Sequence, residues 1–363
     1  MTCRLAWLAA SLLIFAVRAQ SPHRPSGRVG DGNAATKAEI NGPHGIAVDG
    51  ARFLYIIEGI GNVIRCVDLN TGLISTIRPN VKLEAMDNIV VDGAGDLVVS
   101  EFTVARISKI HPRDGSVSLV AGTGRMSFRG DGGPAHAAGF SRPSGIALDA
   151  GANLYIVDMG NNRVRRIDAQ SGIVSTVAGS GRRDSSGDGG PAVLAGLESP
   201  SGIAIDAANN LYISQYGYGP DSHRVRRVDA KTGLIETVAG LGTGLRGDGS
   251  AARQASLQSP SGLAFDSAGS LFVVDPVNDR VRRIDRLSGI ISTFAGTTKG
   301  YAGDGGAAAG AKLNNPSGIA FDSAGNLYIA EFVNNRVRRV DAKTGIITTV
   351  AGNGLPHRID IMM

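Results

Sequence analysis

Five aspartates recur in one sequence setting and are the first candidates for binding chemistry. Each lies in a Gly-Asp-Gly turn, and ten residues separate that turn from a following proline; the five are Asp31, Asp131, Asp188, Asp248 and Asp304. Five carboxylates around a pore mouth would attract a cation, and Ca²⁺ favours flexible loops lined with oxygen atoms. A single Asp in such a turn can instead bond the backbone of its own turn. Both interpretations stay open.

An enlarged aromatic loop supplies a second candidate site. Eight residues separate Gln215 from Arg224, where the matching segment after Asp158 has four. Two tyrosines separated by glycine suit stacking on a sugar ring or contact with an apolar partner. The alternative is a loop packed on its own aromatic side chains. The candidate ligand-binding residues of this loop are Tyr216, Tyr218, Asp221 and His223.

The sequence gives little support to catalysis. A zinc site needs about three protein ligands, but the histidines occupy dissimilar positions; they are His23, His44, His111, His136, His223 and His357. Patterns typical of a nucleophilic serine or of a phosphate-binding loop do not stand out. We therefore assign no catalytic residue, and a metal-dependent lyase or hydrolase with a site at the pore mouth is the alternative function.

A recurring basic motif indicates how these candidates are positioned. Arg-Val-Arg-Arg occurs four times, beginning at Arg163, Arg224, Arg280 and Arg336. Motifs in several equivalent copies are typical of a repeat architecture. We expect these four arginines to form structural ion pairs with Asp158, Asp275 and Glu331. Nucleic-acid binding would require Lys and Arg on one exposed face, so no nucleic-acid partner is expected.

The complete repeat predicts a six-bladed β-propeller, an all-β fold. The last copy, from Pro316 to Gly352, contains four short runs rich in β-branched residues, and turn-forming residues separate them. Each copy is therefore a four-stranded antiparallel blade, and glycine, at 51 of 363 residues, suits a chain with many turns. Six such sheets in one chain favour a closed ring. The predicted blades are residues 44–80, 88–122, 144–179, 201–240, 261–296 and 317–352.

The same topology predicts a loop-rich face. In a meander, the connections between blades and the turns between second and third strands emerge on one side, and every long insertion falls in these two classes. The blade connection that starts at Gly30 and the chain after Val350 belong to one junction. We expect the two ends of the propeller, residues 30–354, to lie side by side without an exchanged strand. Two neighbouring blades diverge, at Val63-Ile-Arg-Cys66 and at Arg106-Ile-Ser-Lys109.

The repeat unit resembles the NHL repeat. The resemblance rests on Pro-x-Gly-Ile-Ala-x-Asp, Asn-Leu-Tyr-Ile-Ala-Glu and Asn-Arg-Val-Arg-Arg-Val-Asp, and the Thr-Val-Ala-Gly and Gly-Asp-Gly-Gly-Pro-Ala segments resemble the teneurin type and secreted bacterial relatives. It covers residues 28–354. The resemblance implies the propeller fold and a range of functions that includes scaffolds, sensors, RNA binders and a few lyases. We expect a binding scaffold for a protein or a polysaccharide.

The N-terminal residues indicate export. Arg4 and an apolar run from Leu5 to Val17 predict a signal peptide over residues 1–19, followed by a flexible segment, 20–29. The protein would then be secreted or periplasmic, without a membrane span, and residues 355–363 would form a tail. Removal of the signal lowers the formal net charge from +5 and leaves Cys66 as an unpaired, buried thiol. We expect a monomer with no cofactor apart from the Ca²⁺ already considered.

Overall fold

The predicted propeller is confirmed. A computed structural model describes residues 30–219, 222–242 and 244–355. These residues form six four-stranded antiparallel sheets, in each of which consecutive strands lie side by side. The first strands of neighbouring sheets contact one another in a closed circle, because the first strand of blade one touches those of blades two and six. The first strands therefore surround the central axis and the fourth strands lie outermost.

The first three blades have the following strands. Blade one contains Pro43–Asp49, Phe53–Glu58, Val63–Asp68 and Leu73–Ile77. Blade two contains Met86–Val91, Leu97–Glu101, Arg106–Ile110 and Val117–Ala121. Blade three contains Pro143–Leu148, Leu154–Asp158, Arg163–Ile167 and Val174–Ala178.

The remaining blades follow the same plan. Blade four contains Pro200–Ile205, Leu211–Gln215, Arg224–Val228 and Ile235–Ala239. Blade five contains Leu263–Phe265, Leu271–Asp275, Arg280–Ile284 and Ile291–Ala295. Blade six contains Pro316–Phe321, Leu327–Glu331, Arg336–Val340 and Ile347–Ala351. Short 3₁₀ turns span Ala35–Lys37, Ala135–Ala137, Met159–Asn161, Ala192–Leu194, Ala252–Gln254, Pro276–Asn278 and Ala308–Gly310.

Aspartates form the turns on the face opposite the long loops. In blade six, Asp322 Oδ1 accepts hydrogen bonds from the backbone N–H groups of Ala324 and Asn326. Asp341 Oδ1 accepts from the backbone of Lys343 and Thr344 in the next turn on that face. An Asp side chain that bonds backbone two or three residues ahead closes a tight turn, so these turns are short and satisfied within themselves.

The hydrophobic core is divided among the spaces between blades. Ile46, Leu54 and Ile56 of blade one pack against Tyr328 and Val337 of blade six. Five further apolar clusters occupy the other blade interfaces. The second strands thus bury both of their faces, because each blade packs against a neighbour on either side, and stability comes from the closed ring of interfaces.

The ends of the propeller meet as expected. The N–H groups of Gly352 and Asn353 donate to the carbonyl oxygens of Ala35 and Ala38, both at 2.9 Å. Asn335 Oδ1 accepts from Gly42 N, also at 2.9 Å. Each sheet contains strands from one stretch of sequence only. The ring is therefore closed by hydrogen bonds and apolar packing and without an exchanged strand.

Two further expectations concern the thiol and the membrane. Cys66 is buried and unpaired, and burial raises the pKa of its thiol to about 11, so the thiolate is scarce near neutral pH. Among the described residues no helix has the length and apolar character that a membrane crossing requires. The predicted signal segment, residues 1–19, and residues 20–29 lie outside the described residues.

Candidate functional site

The long blade connections and the turns after the second strands lie on one face. The side-chain amides of Asn161, Asn278 and Asn334, each in a turn after a second strand, donate to the carbonyls of Ser127, Gly244 and Gly300 at 2.8–2.9 Å. Those carbonyls belong to the connections that precede the same blades. This side of the ring is the loop-rich face that the sequence predicts.

The predicted ion pairs exist, but they involve different arginines. The third residue of each tetrad is fully buried and pairs with an acid. The first residue of three tetrads, Arg163, Arg280 or Arg336, bonds backbone carbonyls. Arg165, for example, pairs with Asp131 and Asp158, while Arg163 donates to the carbonyls of Asn161 and Ser180. The expected pairing of Arg163, Arg280 and Arg336 with the acids that end the second strands was therefore wrong. Alternation places positions one and three of the strand on the same face. They differ in depth, because position one begins the strand and position three lies in its middle. The buried arginines are Arg65, Arg165, Arg226, Arg282 and Arg338.

The five turn aspartates are the partners of these arginines. Asp304 Oδ1 lies 2.6 Å from Arg338 Nη2, and Asp304 Oδ2 accepts from the hydroxyl of Thr349. Each of the five aspartates lies in this way beside the third strand of its own blade. Because the first strands surround the central axis, the premise that these aspartates surround the pore mouth is wrong. Among the described residues no group of three or more His, Cys, Asp or Glu side chains is arranged to hold a metal ion. Calcium binding stays a prediction that this geometry does not favour.

On the loop-rich face, aromatic side chains lie beside the first arginine of two tetrads. The Arg163 guanidinium lies 3.8 Å from the centre of the Phe128 ring, and Arg336 lies 3.8 Å from that of Tyr301. Phe128 and Tyr301 both come from blade connections and are 43% and 42% exposed. Cation–π contacts of this kind fix an exposed ring in place. Each pair therefore presents a rigid aromatic surface to solvent.

A hydrogen-bonded ring joins the blades around the central axis. Ser144 Oγ donates to Ser201 O at 3.1 Å, and Ser201 Oγ donates to Pro260 O at 3.2 Å. Ser261 and Ser317 continue this pattern to Ser317 O and Pro43 O. The serine of each Pro-Ser-Gly segment therefore has a structural role, which explains why it repeats.

Blades one and two have ionisable residues at the serine position of this hydrogen-bonded ring. His44 takes the serine position in blade one, and its Nδ1–H donates to Asp87 O at 2.9 Å. Asp87 takes the position in blade two, but Ser100 of the adjacent strand makes the bond to Ser144 O instead. The Asp87 carboxylate is thereby released from the ring and lies 3.9 Å from His44 Nδ1.

Aromatic residues of other blades face this His–Asp pair. Phe332 of blade six packs edge-on against His44, with ring centres 6.4 Å apart. Burial raises the pKa of Tyr216 to about 12, and the Asp87 carboxylate contributes to the same shift while Arg142 opposes it. The Tyr216 hydroxyl also lies 4.0 Å from Met159 Sδ. We call this set the channel mouth; it comprises His44, Asp87, Arg142, Met159, Tyr216 and Phe332.

The candidate residues of the enlarged loop separate into three environments. Tyr216 is half-buried at the channel mouth, whereas Tyr218 is 70% exposed and lies under the Arg183 guanidinium at 5.1 Å. His223 is buried, and its Nδ1 accepts from Ser259 N at 3.0 Å. Asp221 lies outside the described residues. Ligand binding by these four residues stays a prediction.

His223 has a role that repeats around the ring. In the same position Asn62, Asp279 and Asn335 accept from the backbone N–H of Met86, Asn315 and Gly42, which begin the next blade. Burial lowers the pKa of His223, which keeps the imidazole neutral and able to accept a hydrogen bond. Among the described candidates of this loop, Tyr218 is therefore the exposed side chain.

Sequence reasoning missed most of the channel mouth. His44 and Asp87 replace the serine of the Pro-Ser-Gly segment, and this replacement was the sequence signal that could have identified them. Arg142 and Phe332 fall in variable positions of the repeat and carry no such signal. Aromatic rings beside a few polar side chains are typical of a site for a polar organic ligand, so the arrangement suits binding.

Comparisons with known proteins agree with the repeat. The model of the Teneurin NHL domain matches residues 13–100 and 298–358. Human Teneurin-4 is 32% identical over 259 residues, which cover 64% of this chain and 9% of that protein. Bovine NHL repeat-containing protein 2 is 28% identical over 247 residues, which cover 59% of this chain and 33% of that protein. The chain thus spans a third or less of the length of these relatives.

A solved structure shows the same fold. An auxiliary nutrient binding protein from Bacteroides thetaiotaomicron superposes with a TM-score of 0.61 at 16% identity, over 89% of this chain and 75% of that one. At this identity the likeness concerns the fold alone. With six copies of the repeat, a closed ring of six blades and these matches, the chain is a six-bladed β-propeller built from NHL repeats.

Proposed function

We propose that the protein is a secreted NHL-repeat scaffold that binds a protein or a polysaccharide through its loop-rich face. One observation carries the proposal: aromatic rings are exposed on the connections of that face, and arginine side chains hold them. Aromatic and arginine residues dominate the binding energy of many interfaces. Aromatic faces also stack on sugar rings, so both ligand classes fit this surface.

The exposed rings come from three different blade connections or turns. Tyr218 lies beside Arg183, Phe128 beside Arg163, and Tyr301 beside Arg336. The Tyr301 hydroxyl also donates to Asp304 Oδ2 at 2.8 Å. A ring whose position is already fixed loses little conformational entropy when a ligand binds. These rings are therefore suited to contact an extended partner.

The channel mouth adds a polar component to this face. His44 lies beside Asp87 and the partly buried ring of Phe332, and the Asp87 charge acts on the Tyr216 hydroxyl by raising its pKa. A ligand that covers the central axis would meet hydrogen-bonding groups there and aromatic surface farther out. Such a division between polar and apolar contacts provides specificity as well as affinity.

The test compares two aromatic positions with a control on the opposite face. Arrays of polysaccharides and of displayed peptides would be probed with the wild type, with Tyr218→Ala/Tyr301→Ala, and with Leu287→Ala. Leu287 is 93% exposed in a turn between a third and a fourth strand, which emerges on the other face. We expect the double variant to lose at least about tenfold in affinity, since each aromatic anchor contributes more than ~1 kcal/mol.

Unchanged binding by the double variant would contradict the proposal, as would equal losses in the double variant and in Leu287→Ala. The thermal unfolding midpoint of each variant should stay near that of the wild type, because both tyrosines are exposed. Mass spectrometry of the exported protein gives a separate test of secretion. We expect a mature chain that begins at Gln20.

No observation in the described residues favours the alternative of a metal-dependent lyase or hydrolase. His44 and Asp87 are two groups, fewer than the three protein ligands that a catalytic zinc uses. We therefore propose binding without a catalytic step.

A further inference from the structure

Blade two lacks a side chain that fills the same place in the other five blades. In those blades, the buried third-strand arginine lies between the last residue of the second strand and the preceding blade connection. Arg65 Nη1 is 3.0 Å from Glu58 Oε1, and Arg338 Nη1 is 3.3 Å from Glu331 Oε1. In blade two the register pairs Ser108 with Val99, as Arg338 pairs with Ile329. Ser108 therefore stands where the arginine would be.

Blade two keeps the acid that pairs with this arginine in other blades. Glu101 ends the second strand of blade two, as Glu331 does in blade six, and it is 3% exposed. Its Oε1 accepts from the hydroxyl of Ser108 at 2.6 Å, and its Oε2 accepts from Glu84 N at 2.8 Å. Within the described part of the chain Glu101 makes no ion pair. A buried carboxylate without a cation is costly, and the other blades avoid that cost with arginine.

The blade connection that lies over Ser108 and Glu101 is also shorter than its counterparts. Blade two follows blade one after residues 78–85, whereas blade three follows blade two after residues 122–142. The short connection has no Gly-Asp-Gly turn and no 3₁₀ turn, so blade two has no counterpart of the turn aspartate. A cavity of about 290 Å³ opens to solvent here; it is lined by Val81, Lys82, Leu83, Glu101, Arg106, Ser108, Val117 and Leu119.

The two cations that line the cavity are engaged elsewhere. Lys82 Nζ lies 2.8 Å from Glu84 Oε1. The Arg106 guanidinium packs against Gly124, as that of Arg163 packs against Gly181. Arg106 thus repeats the role of the first tetrad arginine and does not replace the missing third one. Glu101 is the acid among the lining residues, and Val81, Leu83, Val117 and Leu119 are their apolar members.

We propose that this cavity binds the guanidinium group of an arginine side chain presented by a peptide or protein. A guanidinium in this cavity would pair with Glu101, as Arg338 pairs with Glu331 in blade six. Its planar fork can bond Glu101 and neighbouring carbonyls together, which a point charge does less well. Val81, Leu83 and Leu119 would cover the aliphatic stem. This site is distinct from the aromatic surface and does not rest on the function proposed above.

Binding would be tested on the mature protein with two small probes. The first is Nα-acetyl-arginine methylamide, and the second is its citrulline counterpart, which has the same shape without the charge. We expect saturable chemical-shift changes in blade two with the arginine probe at millimolar concentration and none with the citrulline probe. Glu101→Gln keeps the shape of the cavity and should weaken the arginine probe at least about tenfold. Ethylguanidinium tests whether the side-chain group suffices; we expect it to bind more weakly, because it lacks most of the stem.

One further variant serves as a control. Ser108→Arg supplies an internal guanidinium and should abolish probe binding. If this variant fails to fold, Glu101→Gln still decides the matter. Equal binding by wild type and Glu101→Gln would overturn the proposal. So would the absence of saturable binding by the arginine probe, or equal affinity for the citrulline probe.

Discussion

Arg165 lies fully buried between two carboxylates that come from different parts of its blade. Its Nη2 is 2.6 Å from Asp131 Oδ1, and its Nη1 is 3.5 Å from Asp158 Oδ2. Asp131 belongs to the blade connection and Asp158 ends the second strand, so one guanidinium joins the connection, the second strand and the third strand. The repeated aspartates and the repeated arginines are therefore one structural element.

Removal of this arginine should be strongly destabilising. Arg165→Met leaves the fully buried Asp158 without its cation, and breaking a buried pair costs about 3–5 kcal/mol of unfolding free energy. Arg166→Ala is the matched control, because Arg166 pairs with Asp168 at the surface and exposed pairs contribute ~0–1 kcal/mol. Urea unfolding measures both. Similar losses in the two variants would show that the buried pair has no special weight.

Stability should fall as the pH rises through the neutral range. Burial raises the pKa of Asp158 and Asp275 to about 6 and that of Glu331 to about 7. In the unfolded chain the pKa values of these carboxyl groups are near 4. As the pH rises above 4, the unfolded chain loses these protons before the native protein does. The free energy of unfolding therefore falls until the pH passes the folded pKa values. The free energy of unfolding should therefore be lower at pH 8 than at pH 5.

Glu331→Gln isolates one of these groups. The amide does not titrate, so the fall in unfolding free energy between pH 5 and pH 8 should be smaller than in the wild type. Below pH 4 the opposite trend applies, because hydrogen bonds within its turn lower the pKa of Asp341 to about 2, and that stabilisation is lost as the pH falls towards this value. A stability that rises steadily from pH 5 to pH 8 would contradict the assignment.

Gly145 should tolerate no side chain. A Cβ at this position would lie 2.5 Å from Ser201 O of the neighbouring blade, so Gly145→Ala must push two first strands apart. We expect a loss of about 1–3 kcal/mol, the range for overpacking. Gly310→Ala is the control, because a Cβ there meets no atom within 4 Å. Thermal unfolding should separate the two variants by several degrees, and equal midpoints would refute the close approach of the blades.

Asn335 should matter more than its counterparts, because it closes the ring. Its Oδ1 accepts from Gly42 N across the junction of blades six and one, where no peptide connection joins the blades. Asn335→Ala should increase hydrogen exchange at the first strand of blade one and the last strand of blade six. Asn62→Ala removes the matching bond to Met86 N between blades one and two. Because these blades are covalently linked, this variant should cause a smaller increase in hydrogen exchange. Equal protection in the two variants would contradict a special role for the junction.

The repeat sequence predicted the fold because its signals are local and occur six times. Runs of β-branched residues define the strands, and turns such as Asp322-Ser-Ala-Gly-Asn326 close through bonds between neighbouring residues. The loop-rich face followed from the meander alone. The position of the ends could also be predicted, because the junction motif before Pro43 lacks a preceding blade.

The residues that face one another across the axis could not be predicted in this way. His44, Asp87, Tyr216 and Phe332 come from four blades, and their proximity depends on how far each blade rotates around the ring. The pairing of Arg165 rather than Arg163 with the buried acid likewise depends on depth within the blade, which the repeat pattern does not encode. Neighbours along the chain determined the blades, whereas the closing of the ring decided the channel mouth.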